Sequence, residues 1–599
     1  MVHTWYPADD DDLDHTYPWD IGGLGVGTYH LEVRAYARAG GSLGAVRRLN
    51  VEVGTPSLDL SRSVTREGNY FRVRLTLEND GTGSAGISHI RDNVSGFQAI
   101  MTDTTNYAVV PEYWVETKHC DVEIAVFDGG GAFMIGPGES LTVEYLAVPI
   151  LYEDSDTFAY GVGVRDEVKI WDQGGFCRWR FDRPEPLETE VGRARTVSDY
   201  LIVTHPRNLF RTNPGSRSDV DELLSTMAEL AQLESALLGY VSVWNAEDVR
   251  SQIKEWGDGM RGSDGVDGHF LSNGYVLLVG EAEILGSWES THKLWVDGRL
   301  RKRTVHYTDL PYGNTSGDWM DPELIVGRVV GNDARELMVP LRTSINVYHD
   351  EPNYHFTKSR ALVVSGRGDG VGSFESNVDA VSRILRGWTS PFAWGDVTTK
   401  KKRHVEDVEG LDMTWVFTSS IPPLGRDLLY YRDHCSAFGW SGVVGTGDFP
   451  LDFGERKPFA FACCCQAGRY EDLGAIGIAE AFLQNETGVY IGSTENSRRS
   501  QNNESCEWFF DRWADRSESI GQSFKALKRH LDGREGWYWA AEYNLYGDPK
   551  YGVLSTLAGL TAHTEAAATE PITSVSVLVP AYEAVSYTHL RAHETSLHL

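Results

Sequence analysis

Two side chains in this 599-residue sequence stand where nucleophilic chemistry is available, a cysteine at 465 and a histidine at 434. Cys465 closes the apolar run PFAFACCC and is followed by Gln466, Ala467 and Gly468, then by helical spacing from about Gly474 to Leu483. A thiol there stands at the mouth of a strand, near a helix whose amino end favours the thiolate. His434 follows a second apolar run, in LLYYRDHCSAFGWSG, and opens a loop of small residues. The two lie 31 residues apart (465 minus 434), room for one strand connection. A thiolate needs a base or cationic partner within hydrogen-bond reach, and neighbouring strand ends can supply one. Cys463 and Cys464, deeper in the run, read as small buried core residues, the usual state of free cysteine. Neighbouring strand residues point to opposite faces, so the triplet does not converge on one metal.

The elements that must position these groups are legible as a change of period. After Asp199, short apolar runs (YLIVTH, YVSVW, YVLLVG, ALVVSG, WVFTS, PFAFACC, VYIGS) alternate with helical segments. The first helical period runs through Val220, Leu223, Leu224, Met227, Leu230, Ala231, Leu237 and Leu238 and stops at Gly239. Such alternation predicts a mostly parallel sheet with helices on both faces, with reactive groups at the carboxyl ends of the strands. From about Thr55 to Arg180 the pattern is instead all-β, in runs such as YFRVRLTLEN and SLTVEYLAVPIL.

Bulk properties narrow the partners. With 55 basic and 86 acidic residues the net charge is -31, a field that repels phosphate backbones and speaks against nucleic acid. No apolar run is long enough to span a bilayer. Seven cysteines in 599 residues do not make a disulfide framework, and none has paired zinc-site spacing. Asp309, Asp318, Asp321 and Glu323 share one loop that could take calcium through oxygen ligands, but without a regular calcium-loop spacing they read as turn-forming and solvated. GRGDGVG lacks the Lys-Ser/Thr pair of a phosphate loop, and Lys400 to His404 reads as a short exposed basic patch.

From about Ser198 to Val553 several segments carry a resemblance in order: YVLLVGEAE, YTDLPYGNTSGDWMDPELIVGR, RDHCSAFGW, PFAFACCCQAGRYEDLGAIGIAEAFL, VYIGSTENS and NLYGDP. Together they resemble the catalytic domain of the gingipain family of cysteine peptidases. The order histidine then cysteine is also that of caspase-like enzymes, whereas papain-like enzymes place the cysteine first. The resemblance implies an α/β, caspase-hemoglobinase-like fold, preceded here by all-β sandwich modules. It assigns Cys465 as nucleophile and His434 as general base and acid. The backbone amides of Cys465 and Cys435 would serve the oxyanion. The family has Gly after the histidine; a side chain at Cys435 would be strained if φ were positive there. Asp369 is the expected orienting acid, and Glu375 and Trp440 are expected against the substrate, Glu375 implying a basic preference. The implied partner is a protein or peptide substrate, no cofactor is required, and calcium enters only as a structural ion. The implied location is extracellular or at the cell surface. The rival readings are an adhesion protein with a degenerate peptidase-like domain and a self-processing peptidase. Nothing in the sequence speaks to oligomeric state.

The expected organisation is a truncated sandwich remnant over 1–54, an adhesion-type sandwich and linker over 55–195, and the peptidase domain over 196–556. A linker and the start of a further domain follow over 557–584. Residues 585–599, containing VSYTHLRAHET, read as adapter-derived sequence and are set aside from fold reasoning.

Overall fold

Strict alternation builds the amino-terminal half. In the strand Tyr70–Asn79, Phe71, Val73, Leu75 and Leu77 are buried while their neighbours face outward, as a half-covered antiparallel sheet requires. The structure, a computed structural model, describes residues 27–36, 43–126, 133–153, 167–172, 175–181 and most of 185–552, with short strands at 572–573 and 576–577. The readings made for 1–26 and 585–599 lie outside these residues. Gly27–Tyr36 and Leu43–Val53 form an antiparallel hairpin. Strands between Leu58 and Phe181 form two layers over one apolar cluster that includes Leu60, Val73, Ile90, Val122 and Val143.

The last long strand of this β region, β1 (Ser140–Tyr152), belongs to two structures at once. Its first part pairs antiparallel with Tyr70–Asn79, and Ile150, Leu151 and Tyr152 pair parallel with Leu238, Gly239 and Tyr240. One sheet therefore runs without a break across the expected boundary between sandwich and peptidase. Side chains reinforce the joint: Asn69 donates to the carbonyls of Ala231 and Ala236, and the Trp256 indole donates to Tyr152 O.

The α/β half contributes β2 (Tyr200–Thr204), β3 (Ala236–Tyr240), β4 (Tyr275–Val279), β5 (Ile325–Val329), β6 (Arg360–Ser365), β7 (Asp396–Lys401), β8 (Leu428–Arg432), β9 (Phe459–Cys463), β10 (Val489–Ser493) and β11 (Tyr543–Gly547). Their order across the sheet is β7-β6-β8-β9-β10-β11-β5-β4-β2-β3, followed by β1. All these neighbours are parallel except β10 and β11. The main helices are α1 (Arg217–Leu233), α2 (Ala334–Tyr348), α3 (Ser373–Gly387), α4 (Ile478–Gln484), α5 (Arg499–Trp513), α6 (Ile520–His530) and α7 (Gly533–Glu542). They lie on both faces, as the period change predicts. Phe459, Phe461 and Cys463 of β9 join one apolar cluster with Phe509 and Trp513 of α5. Ala460, Ala462 and Cys464 join the opposite cluster with Ile478 and Phe482 of α4.

Two element assignments differ from expectation. WVFTS is not a strand; it lies in the helix Met413–Ser419, whose amide at Trp415 donates to Asp412 as cap. Met413, Val416 and Phe417 supply its buried face at helical spacing. The first helix also ends earlier, at Leu233, and the strand is Ala236–Tyr240, not YVSVW. Ser235 turns the chain with a φ of 56°, and all five residues of ALLGY are then buried between β2 and β1.

One buried ion pair ties β5 to two loops, the one after β4 and the one around Asp309. Arg328 is fully buried; it contacts Asp309 at 2.7–3.1 Å and donates to the carbonyls of Gly280, Leu285 and Gly286. Asp309 is thus the guanidinium's partner, while Asp321 pairs with Arg529 and Glu323 accepts from the Thr315 amide. Removing one partner of such a pair strands a buried charge, which costs about 3–5 kcal/mol. Asp309→Ala should therefore lower the unfolding free energy by that amount in denaturant titration. A loss under about 1 kcal/mol would mean that the three carbonyls alone satisfy the guanidinium.

Candidate active site

Parallel register brings the two candidate side chains to one place. β8 pairs with β9 from Leu428↔Phe459 to Arg432↔Cys463. Two residues beyond that last pair come His434 and Cys465, leaving the sheet at the same level on adjacent strands. The His434 side chain is 59% exposed, open to a substrate. Its ring meets Phe374 edge-on at 5.4 Å. Cys465 is half-buried, and among the described residues its sulfur contacts Ser497, donating to the carbonyl and accepting from the hydroxyl, each at 3.8 Å. No hydrogen bond joins Cys465 to His434 among the described residues. Burial pushes the Cys465 thiol above its ordinary range, and the Ser497 hydroxyl acts in the opposite direction. Net, the surroundings favour the neutral thiol over the thiolate.

Ser497 is itself oriented. Asn502 Nδ2 donates to Ser497 Oγ at 2.7 Å, leaving the hydroxyl proton for Cys465. The Asn502 carbonyl is held in turn by Trp539 Nε1 at 2.8 Å and Tyr543 OH at 3.0 Å. Neither Ser497 nor Asn502 stood out in the sequence; the signal available was their place in the polar loop and first turn directly after β10.

The backbone around Cys465 is set up to leave an amide open. Gln466 adopts φ 58°, a left-handed conformation that a residue with a side chain takes only under constraint. Its own N–H donates to Glu495 O at 2.8 Å, and the Gly468 N–H to Ser493 O at 2.8 Å. No acceptor takes the Cys465 N–H among the described residues. Cys435 does not have a positive φ; it lies in a short strand opposite Trp440, so its side chain brings no left-handed strain.

The cysteines correct the expectation that Cys463 and Cys464 are free, buried core residues. Cys435 is bonded to Cys464, with Cα atoms 5.5 Å apart, and Cys463 to Cys506, with Cα atoms 7.2 Å apart. Strand alternation explains the division: Cys464 faces the histidine loop, Cys463 faces α5, and Cys465 lies past the strand end with a free thiol.

Of the other expected residues, Asp369 lies outside the described residues. Glu375 is half-buried in the first turn of α3, beside Phe374. Trp440 does not face a substrate: it is 1% exposed, stacked between Tyr431 and Phe482, and its indole donates to Tyr490. Its loop position concealed an apolar packing role. Among the described residues, the carboxylate within 4 Å of the imidazole is that of Asp433. It is 5% exposed, with Oδ1 at 3.9 Å from His434 Nε2 and without a hydrogen bond. Its Oδ2 accepts from the Gly368 amide at 2.6 Å. A Cβ on Gly366 would come 2.1 Å from that oxygen, so glycine is required there.

A second acidic group lies after β4. One carboxylate oxygen each from Glu281, Glu283 and Glu471 lie within 4.8 Å of one another. Burial, then repulsion by neighbouring carboxylates, pushes Glu281 up to about 9, and its Oε1 has no hydrogen-bond partner.

The sequence profile of peptidase family C25 matches residues 193–553. A comparison with curated protein sequences finds no match. Among solved structures, the Arg-specific cysteine proteinase gingipain R is 15% identical with a TM-score of 0.41, over 59% of this chain and 77% of its own. The complex of the RgpB pro- and mature domains from Porphyromonas gingivalis is 16% identical with a TM-score of 0.39, over 59% and 79%.

The resting thiol makes a measurable prediction. Alkylation of Cys465 by iodoacetamide in the free protein should climb with pH through and beyond the ordinary thiol range of about 8.5. Ser497→Ala should slow it at any fixed pH in that range, because the hydroxyl that favours the thiolate is gone. A plateau already reached below about pH 7 would show a preformed thiolate–imidazolium pair instead.

Proposed function

The chain belongs to peptidase family C25, and on that premise we propose that it is a cysteine endopeptidase acting through Cys465 and His434. The observation that carries the reading is the β8–β9 register, which delivers both residues to the same level at the carboxyl edge of the sheet.

In this mechanism a bound peptide displaces the thiol from Ser497, and His434 takes its proton. Catalytic hydrogen bonds absent from a free enzyme commonly form only in the substrate complex. The thiolate attacks the peptide carbonyl, and the open Cys465 amide, with the Cys435 amide beside it, donates to the oxyanion. His434 then protonates the leaving amine, and water hydrolyses the acyl-enzyme with His434 as base. Asp433 supplies the carboxylate that faces the imidazole. The steps use side chains, amides and water alone. The oxygen-only set of Glu281, Glu283 and Glu471 suits a hard divalent cation such as calcium in a supporting role. Glu375, at the rim beside Phe374, would favour a basic residue before the cut. Extracellular or surface location is supported by the two disulfides, which persist in oxidising surroundings.

The test is digestion of a mixed peptide library by the whole chain, since the shared sheet ties the β region to the catalytic half. Cys465→Ala and His434→Ala should each lose about a thousandfold or more in kcat, and the cut sites will show whether basic residues precede the bond. Equal cleavage by the wild type and Cys465→Ala would refute the nucleophile. Absence of cleavage by folded wild type would favour a binding protein with an inactive site.

A further inference from the structure

The Cys435–Cys464 disulfide joins the residue directly after His434 to the residue directly before Cys465. The covalent path between the two reactive residues thus runs through one neighbour of each and the bridge itself. We propose that this bridge is a positioning element of the peptidase, and that the enzyme works only with the bridge oxidised while its neighbour Cys465 is reduced.

Beyond Arg432 the chain leaves β8, and His434 is exposed with Phe374 and Asp433 as its contacts. The loop is held by the Ser441 amide and the Tyr431 hydroxyl on His434 O, by the short pairing of Cys435 with Trp440, by the Ile478 amide on Ala437 O and by the buried Trp440 indole. These anchors hold its backbone and its far limb, and backbone bonds at a solvent-facing turn open readily. Cys464 is fully buried, one residue past the end of the central strand β9, so the bridge anchors the loop to the sheet. Cys465 itself is turned towards Ser497 and is the free thiol of the triplet. Strand alternation therefore keeps the nucleophile away from the bond beside it.

Cys435 is half-buried and Cys464 fully so; an external dithiol therefore attacks at Cys435. The reagent's thiolate forms a mixed disulfide with the Cys435 sulfur, and Cys464 leaves as a thiolate that takes up a proton. The second reagent thiol then closes its own disulfide and releases Cys435 as a thiol. The pair gains two electrons and two protons; the dithiol loses them. Freed from β9, the histidine loop relaxes, and a misplacement on the order of 1 Å costs up to about a hundredfold in rate.

This inference rests on the peptidase reading, and its test keeps the two separable. The whole chain is titrated with dithiothreitol, free thiols are mapped by maleimide labelling and mass spectrometry, and peptide cleavage is followed. As labels appear on Cys435 and Cys464, kcat should fall roughly tenfold or more with KM within about twofold, and reoxidation should restore it. The Cys435→Ser/Cys464→Ser variant should show the low kcat from the start and no further loss. Cys463→Ser/Cys506→Ser should keep the dithiol response. Unchanged kcat with Cys435 and Cys464 fully labelled overturns the proposal. So does a folded Cys435→Ser/Cys464→Ser variant with wild-type kcat; should that variant not fold, the wild-type titration decides. If the wild type shows no Cys465-dependent cleavage, the peptidase reading falls, and the alkylation rate of Cys465 still judges the bridge. Equal rates with the bridge intact and reduced overturn it; a changed rate upholds it.

Discussion

A single buried guanidinium holds together the sheet edge that carries His434 and Cys465. Arg432, 1% exposed at the end of β8, donates to Asn503 Oδ1 at 2.8 Å, to Cys463 O at 3.0 Å and to Arg499 O at 3.0 Å. Those acceptors belong to the end of β9 and the first turns of α5. Burying a charged group without such partners would cost several kcal/mol, so the three elements are compelled to meet. His434, Cys465 and Ser497 each lie two residues from Arg432 or from one of its partners in sequence. The ring of Phe374 lies 4.5 Å from the guanidinium and also meets His434, so the same cation bears on the imidazole's resting contact.

Much of the site was legible because it follows strand logic. The run PFAFACCC announces a buried parallel strand, and its alternation assigns each cysteine a different direction before any partner is known. The partners were not legible. Cys435 lies 29 residues from Cys464, and Cys506 lies 43 residues from Cys463 on a helix; which cysteines meet is decided by how layers stack, and spacing carries no trace of that. Asp433 was overlooked for a related reason. Adjacent strand residues normally face apart, but past the end of β8 the chain turns, and Asp433 and His434 come within reach of each other.

Misreadings cluster where local pattern and tertiary setting disagree. WVFTS has the composition of a strand, yet a single capping aspartate and three apolar residues at helical spacing decide for a helix. Trp440 sits in a loop rich in small residues, yet its indole is sandwiched in the core. The Asp309–Arg328 pair lies within the segment that carried the resemblance, but only the fold shows that the two residues are partners. The β region read correctly as strands, whereas its sharing of a sheet with the catalytic half depends on three residue pairs that no local pattern encodes.

That shared strand also bears on solubility. A parallel sheet normally ends in two rows of unpaired amides and carbonyls, each a template on which another chain can add. Here β1 occupies one such row, beside β3. The opposite row belongs to β7, a strand of sequence DVTTKK that ends in Lys400 and Lys401. Lys401 pairs with Asp379, and charged side chains at an edge disfavour the docking of another strand. The basic patch that looked incidental in the sequence thus lies on the flank that the β region does not cover, where its charge works against edge-to-edge pairing.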